Sequence, residues 1–200
     1  MNKCKICKIL KWIALAFLLV LAAFFSVRAV GKAIYSKTPE GGINESRYID
    51  VNGTKQWINI YGEDINNPVL LYLHGGPGSA TSEIDYAFTR KWADVYTVVT
   101  WDQRNCGKSY DAEQNDIVLT KEIFMTDGWE VTEYILDYLS KDKITILGHS
   151  WGSLFGANLV LEYPEYYDCF IGTGQLADYL ENEEAFKRKR CCGQTVTKKP

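Results

Sequence analysis

The order of apolar segments predicts an α/β domain with a mostly parallel sheet and helices on both faces. Three observations predict it. Short apolar or β-branched runs at 69–73, 95–101, 144–147 and 169–173 alternate with segments of helical character. A hairpin signal precedes them. Glycine-rich turns close two of the runs, at 74–78 and 148–152.

At the start of the chain, Lys3, Lys5, Lys8 and Lys11 precede Trp12 to Val27, a stretch of 16 residues without a charge. As a helix it would span roughly 24 Å, slightly short of a bilayer core. Ile9, Leu10, Ala29 and Val30 extend it to 9–30 if Lys11 and Arg28 snorkel. The lysine cluster predicts a cytoplasmic N-terminus, with the remainder outside. An uncleaved single-pass anchor is the expectation. A cleaved signal peptide is the rival, with small residues around Arg28 and secretion as the outcome. The chain then divides into 1–35, a basic segment and anchor; 36–47, a linker with Pro39, Gly41 and Gly42; 48–180, the α/β domain; and 181–200, an acidic start followed by a basic tail.

Within the domain, strands at 48–51 and 56–61 flank Asn52-Gly53, a two-residue hairpin signal. Residues 83–93 read as a helix. In 121–139, Phe124, Val131, Ile135 and Tyr138 share one helical face and acids dominate the other. Residues 151–162 read as a helix that stops before Pro164.

Composition narrows the chemistry. Of the chain's 200 residues, 46% are apolar and 24% charged, and the formal net charge is −3. Residues 41–186 hold 9 Lys or Arg against 24 Asp or Glu, or −15, so nucleic acid is excluded as a partner class. Six cysteines form no disulfide framework, and Cys4 and Cys7 supply only half of a zinc or redox spacing.

Gly148-His149-Ser150-Trp151-Gly152 fits G-x-S-x-G between a strand and a helix. That turn is tight enough to demand glycine on both sides of the serine. It exposes the Ser150 hydroxyl as a nucleophile, beside a helix N-terminus that favours developing negative charge. His74-Gly75-Gly76-Pro77-Gly78 follows another strand. Its glycines let main-chain donors approach a substrate oxygen, so an oxyanion hole is expected from the N–H groups of Gly76 and Trp151.

HGGPG at 74–78, WDQRNCGKS at 101–109 and GHSWGS at 148–153 together resemble the proline iminopeptidase family of α/β-hydrolases, over residues 48–180. The resemblance implies hydrolysis of N-terminal residues from peptides, or of related small amides and esters, with no metal and no organic cofactor. It implies a supporting role for His74, Gly75 and Gly78, and for Asp102 and Arg104 in polar contacts beneath the site. Cys106 is read as an inert buried thiol.

The triad acid and base are not found. The order in this fold is Ser, then Asp or Glu, then His, whereas the only histidines, His74 and His149, precede Ser150. Asp168 and Asp178 follow it but come too early, because the family places its acid after a helical cap. The tail from Lys187 has six bases and no acid, which reads as an interrupted reading frame or a lipid-binding tail. Three readings remain open: a serine hydrolase lacking the base for turnover, a membrane-anchored binding protein without catalysis, and a chain completed by a complementing chain.

Overall fold

The computed structural model describes residues 3–177, with side chains from residue 8 onward except that of Lys32. The expected acidic start and basic tail at 181–200, Asp178, and the side chains of Cys4 and Cys7 lie outside the described residues.

The chain divides into two units, 1–38 and 39–200. The first holds helix α1 (Lys3–Tyr35). Within Lys8–Tyr35 an 18-residue window reaches a mean hydropathy of 2.5, and none of that window is buried. By length and composition α1 is able to cross a membrane, and the same properties suit a signal sequence.

The second unit is built on one six-stranded sheet: β1 (Ile43–Val51), β2 (Thr54–Gly62), β3 (Val69–Leu73), β4 (Thr97–Asp102), β5 (Ile144–His149) and β6 (Tyr167–Thr173). The spatial order is β1-β2-β4-β3-β5-β6. The first two pairings are antiparallel, and β4, β3, β5 and β6 run parallel. Asn52 and Gly53 sit at φ 44° and 74° in the β1–β2 turn, the left-handed geometry that Asn-Gly accommodates. Strand β1 starts at Ile43, inside the stretch 36–47 expected to be linker. Ile43 is buried and pairs with Gly62, so Gly41-Gly42 mark entry into a strand.

Helices α2 (Tyr86–Thr89), α3 (Lys121–Leu139) and α4 (Trp151–Glu162) complete the unit. Helix α3 has the expected bounds. Thr120 caps its start by accepting from the Ile123 N–H, and Ser140 ends it in the left-handed region. Phe124, Val131 and Ile135 are buried against Phe155 and Leu159 of α4 and the sheet. Residues 83–93 form only the single turn of α2 among looser turns. The Asp85 carboxylate points inward, accepting from Asn59 and Thr100, and burial raises its pKa despite both bonds.

The expectation of helices on both faces therefore holds unequally. On one face Leu71, Leu73, Ile144 and Ile146 are buried beneath α3 and α4. On the other, α2 and its flanking turns accompany full burial of Ala93, Val98 and Thr100, while exposure rises toward β6.

Candidate active site

The elbow between β5 and α4 puts Ser150 at φ 53°, ψ −118°, a conformation costly for a residue with a side chain. Packing leaves it little choice. A Cβ at Gly148 would fall 2.3 Å from the Gly152 carbonyl oxygen, and one at Gly152 would fall 2.1 Å from that of Leu73. The strand, the turn and the helix thus touch backbone to backbone. The Ser150 N–H donates to Thr173 O of β6 at 2.8 Å, and its carbonyl accepts from the Ser153 N–H and Oγ at 2.9 and 2.6 Å. These bonds hold the strained residue from both sides.

The glycine loop lies against the elbow. A Cβ on Gly75 would approach Ser150 Cβ to 3.2 Å, so the loop and the serine are in contact distance. Gly76 and Gly78 take φ of 121° and 102°, closed to most side chains. The N–H groups of Gly76 and Trp151 make no backbone hydrogen bond among the described residues. Ser150, Gly75, Gly76, Tyr72, Thr81 and His149 line a cleft of about 400 Å³. The buried Thr81 Oγ1 in its wall has no hydrogen-bond partner among the described residues.

Each histidine is engaged elsewhere. His74 is fully buried. Its Nε2 accepts from the Gln103 N–H at 3.1 Å, which places the proton on Nδ1, 2.8 Å from the Gly75 carbonyl. Burial lowers its pKa, against smaller opposing contributions from Gly75 and Asp102. His149 is exposed, and its Nδ1 meets Thr173 Oγ1 at 3.1 Å. Among the described residues no carboxylate is hydrogen-bonded to either imidazole. Asp168 lies at the start of β6, whereas the Ser150 end of β5 pairs with Gly172 and Thr173.

The supporting loop divides in two. Asp102 accepts from Ser82 Oγ at 2.6 Å and from the Ser82 and Lys108 N–H groups at 3.3 and 2.9 Å. It ties the glycine loop's exit to the WDQRNCGKS turn. Arg104 turns away from Asp102. It donates to both oxygens of Asp127 on α3 at 2.7 Å and to the Asn52 carbonyl at 3.0 Å. Gln56 and Asn52 donate to the same carboxylate. Gln103, also absent from the sequence expectation, braces the site directly: it donates to the His74 carbonyl and accepts from the Trp151 indole N–H, both at 3.2 Å. Asp127 did leave a signal, an acid inside the apolar stripe of Phe124 and Val131; Gln103 left none. Burial, then Asp102, pushes the Cys106 thiol up to about 12, so it carries almost no thiolate at neutral pH. Among the described residues no cluster of His, Cys, Asp or Glu is suited to hold a metal.

The sheet order, the strained serine between two packed glycines and the adjoining glycine loop define an α/β-hydrolase scaffold. Residues 68–189 match the family described as alpha/beta hydrolase fold, and the chain belongs to that family. It is similar to proteins named as aminopeptidases and proline iminopeptidases. It shares 35% identity over 137 residues with the "Probable aminopeptidase YbaC" of Bacillus subtilis (strain 168), covering 68% of this chain and 42% of that protein. It shares 28% over 126 residues with the proline iminopeptidase of Lactobacillus helveticus (strain DPC 4571), covering 62% and 42%. The chain thus spans less than half the length of these relatives. Among solved structures, a proline iminopeptidase-related protein of Thermus thermophilus aligns at a TM-score of 0.55 and 22% identity, over 73% of this chain and 57% of that one. Naproxen esterase from Bacillus subtilis aligns at 0.52 and 23%, over 64% and 42%. These two establish likeness of fold.

Proposed function

We propose that the chain carries the nucleophile and oxyanion half of a serine-hydrolase site acting on peptides with a free N-terminal residue, or on related small amides and esters. Ser150 Oγ is the nucleophile, and the N–H groups of Gly76 and Trp151 receive the oxyanion. The observation that carries this reading is the forced backbone of Ser150 between Gly148 and Gly152. A strained turn of this kind persists only where packing over-determines it, and such turns concentrate at sites of chemistry. The names of the relatives support the substrate class.

A serine hydroxyl attacks slowly until a base accepts its proton. Both histidines of the chain precede Ser150 in sequence and are hydrogen-bonded elsewhere. By itself the chain therefore turns over about four to six orders of magnitude more slowly than a complete triad. The test is release of a chromophore from an N-terminal proline amide by the purified 200-residue chain in detergent. The expected rate equals that of Ser150→Ala. Rapid release abolished by Ser150→Ala would show that the chain supplies its own base.

Helix α1 is read as a single-pass membrane anchor through residues 9–30, with the hydrolase unit outside the cytoplasm. Its apolar length and the lysines before it support that orientation. Retention in the membrane pellet after alkaline carbonate, with protease digesting residues 39–177 only from outside, is the expected result. Release of a shortened soluble chain would show signal cleavage instead.

A further inference from the structure

Strand β1 ends the sheet on the hairpin side, and it pairs with β2 and with no other described strand. Its nine residues, Ile43–Val51, keep an unbroken register with β2. Sheet edges are ordinarily blunted by lysine, proline, a bulge or a very short strand. Strand β1 has none of these. The hairpin turn decides which of its main-chain groups face outward. Val51 pairs with Thr54 across the two-residue turn, so these two residues exchange hydrogen bonds. The ladder alternates from there. Ile49, Arg47, Glu45 and Ile43 point their N–H and C=O groups at β2, and Ser46 and Tyr48 point theirs away from it. Ser46 and Tyr48 are exposed, and neither makes a backbone hydrogen bond to a turn, loop or cap among the described residues. The side chains alternate as well. Ile43 and Ile49 are buried in the core, and Glu45 and Arg47 lie on the same face, bonded to each other and to Tyr138 of α3.

This pattern is complementary to itself. A second β1 laid antiparallel, with Ser46 opposite Ser46, sets outward main-chain groups against outward main-chain groups. It also sets Glu45 of each copy opposite Arg47 of the other, and Ile43 of each opposite Ile49 of the other. These four pairs fall at the positions without mutual hydrogen bonds, where facing side chains come closest. The neighbouring registers that keep outward groups together lose the match. With the two-fold axis at Tyr48, Glu45 meets Val51 and Arg47 meets Ile49; with the axis at Asn44, Glu45 meets Ile43.

We propose that the β1 edge is the docking surface for a second copy of this chain, which joins it in a two-fold dimer centred on Ser46. The two six-stranded sheets then run on as one. Charge complementarity and register select the occupant: the acid and the base needed opposite Arg47 and Glu45 stand at the right spacing in β1 itself. The acidic body of each copy repels the other at long range, but that repulsion is screened beyond about 8 Å at physiological ionic strength, whereas the Glu45–Arg47 pairs meet in contact. A single strand pairing is a small interface, so the dimer depends on concentration.

The test uses the full chain in mild detergent, with Cys4, Cys7, Cys169, Cys191 and Cys192 replaced by serine so that the buried Cys106 is the remaining native thiol. Copper phenanthroline oxidises two thiols to a disulfide readily only where their Cα atoms lie within about 7 Å. In the dimer the two Ser46 Cα atoms are about 5.5 Å apart and the two Tyr48 Cα atoms about 14 Å apart. Ser46→Cys is therefore expected to crosslink at least about tenfold faster than Tyr48→Cys. Adding Glu45→Arg or Arg47→Glu to the Ser46→Cys chain is expected to slow crosslinking at least about tenfold, because each brings two pairs of like charges face to face. Mixing those two chains, each with the circular dichroism of its parent, is expected to restore the rate, since every arginine of one then faces an acid of the other. Ile171→Lys is expected to leave the rate unchanged. Crosslinking at Ser46→Cys no faster than at Tyr48→Cys overturns the proposal, and so does a mixture that stays monomeric. Crosslinking abolished by Ile171→Lys puts the contact at β6 and overturns it too.

Discussion

The two edges of the sheet are finished in different ways. At the hairpin edge, β1 and β2 are tied to α3 by charge. Arg104, Asp127, Gln56 and Asn52 form a buried network, and Arg47 adds bonds to Tyr134 and Tyr138 nearer the surface. At the far edge, β6 keeps one buried residue, Tyr167, whose hydroxyl is 2.9 Å from Thr132 Oγ1, while most of its other side chains are exposed. Among the described residues the same sheet is thus clamped at one side and more exposed at the other. Both edges meet at the elbow, because Thr173 of β6 receives the Ser150 N–H and the Arg104 loop also carries Gln103.

The largest effect is expected at the clamp. Asp127→Ala leaves the Arg104 guanidinium buried and unpaired, and is expected to cost about 3–5 kcal/mol in urea unfolding. A loss below about 1 kcal/mol would mean that water reaches Arg104 and that the hairpin edge is no better fixed than the other. At the elbow, Ser150→Gly removes the cost of holding a side chain at positive φ. It is expected to raise stability by about 1 kcal/mol, while Ser150→Ala, which keeps its Cβ, gives no such gain. At the open edge, Ile171→Lys is expected to shift stability by less than about 0.5 kcal/mol and to reduce self-association on gel filtration. A larger loss would show that Ile171 is packed.

Acid separates the buried region from the open edge as well. The His74 pKa is lowered by burial, so the folded chain favours neutral imidazole. The stability this gives is present above the unfolded-state value of 6.5 and is lost as pH falls from there toward the lower folded value. A chemical denaturation midpoint that drops as the pH is taken from above to below about 6.5, with the drop removed in His74→Asn, is the expected outcome.

The sequence disclosed what is local. Helix α3 was legible to its bounds because an apolar stripe runs between a capping threonine and a polar stop. The elbow was legible because Gly148 and Gly152 report steric limits through residue type alone. Residues 83–93 read as a helix but form only the single turn of α2, with Ile84 and Tyr86 exposed and Asp85 turned inward. Gly41-Gly42 suggested a linker, although a Cβ on Gly42 would meet the Gly62 carbonyl oxygen at 2.3 Å. The Arg104–Asp127 pair and the bracing by Gln103 join elements distant in sequence, and no periodicity announces such partners. Asp127 was not singled out, although it is a charge placed where a helix buries its apolar face.

The buried clamp also sets an order of events during synthesis. Gln56 waits for an acceptor 71 residues downstream, and Asn52 for one 75 residues away. At ordinary translation speeds of about 5–20 residues per second, that interval is about 4–15 s. Through it the emerging hairpin has its turn and its ladder but no Asp127, and Arg104 itself joins the chain only 23 residues before that acceptor. The clamp between the amino-terminal hairpin and α3 therefore closes late, once α3 has left the ribosome.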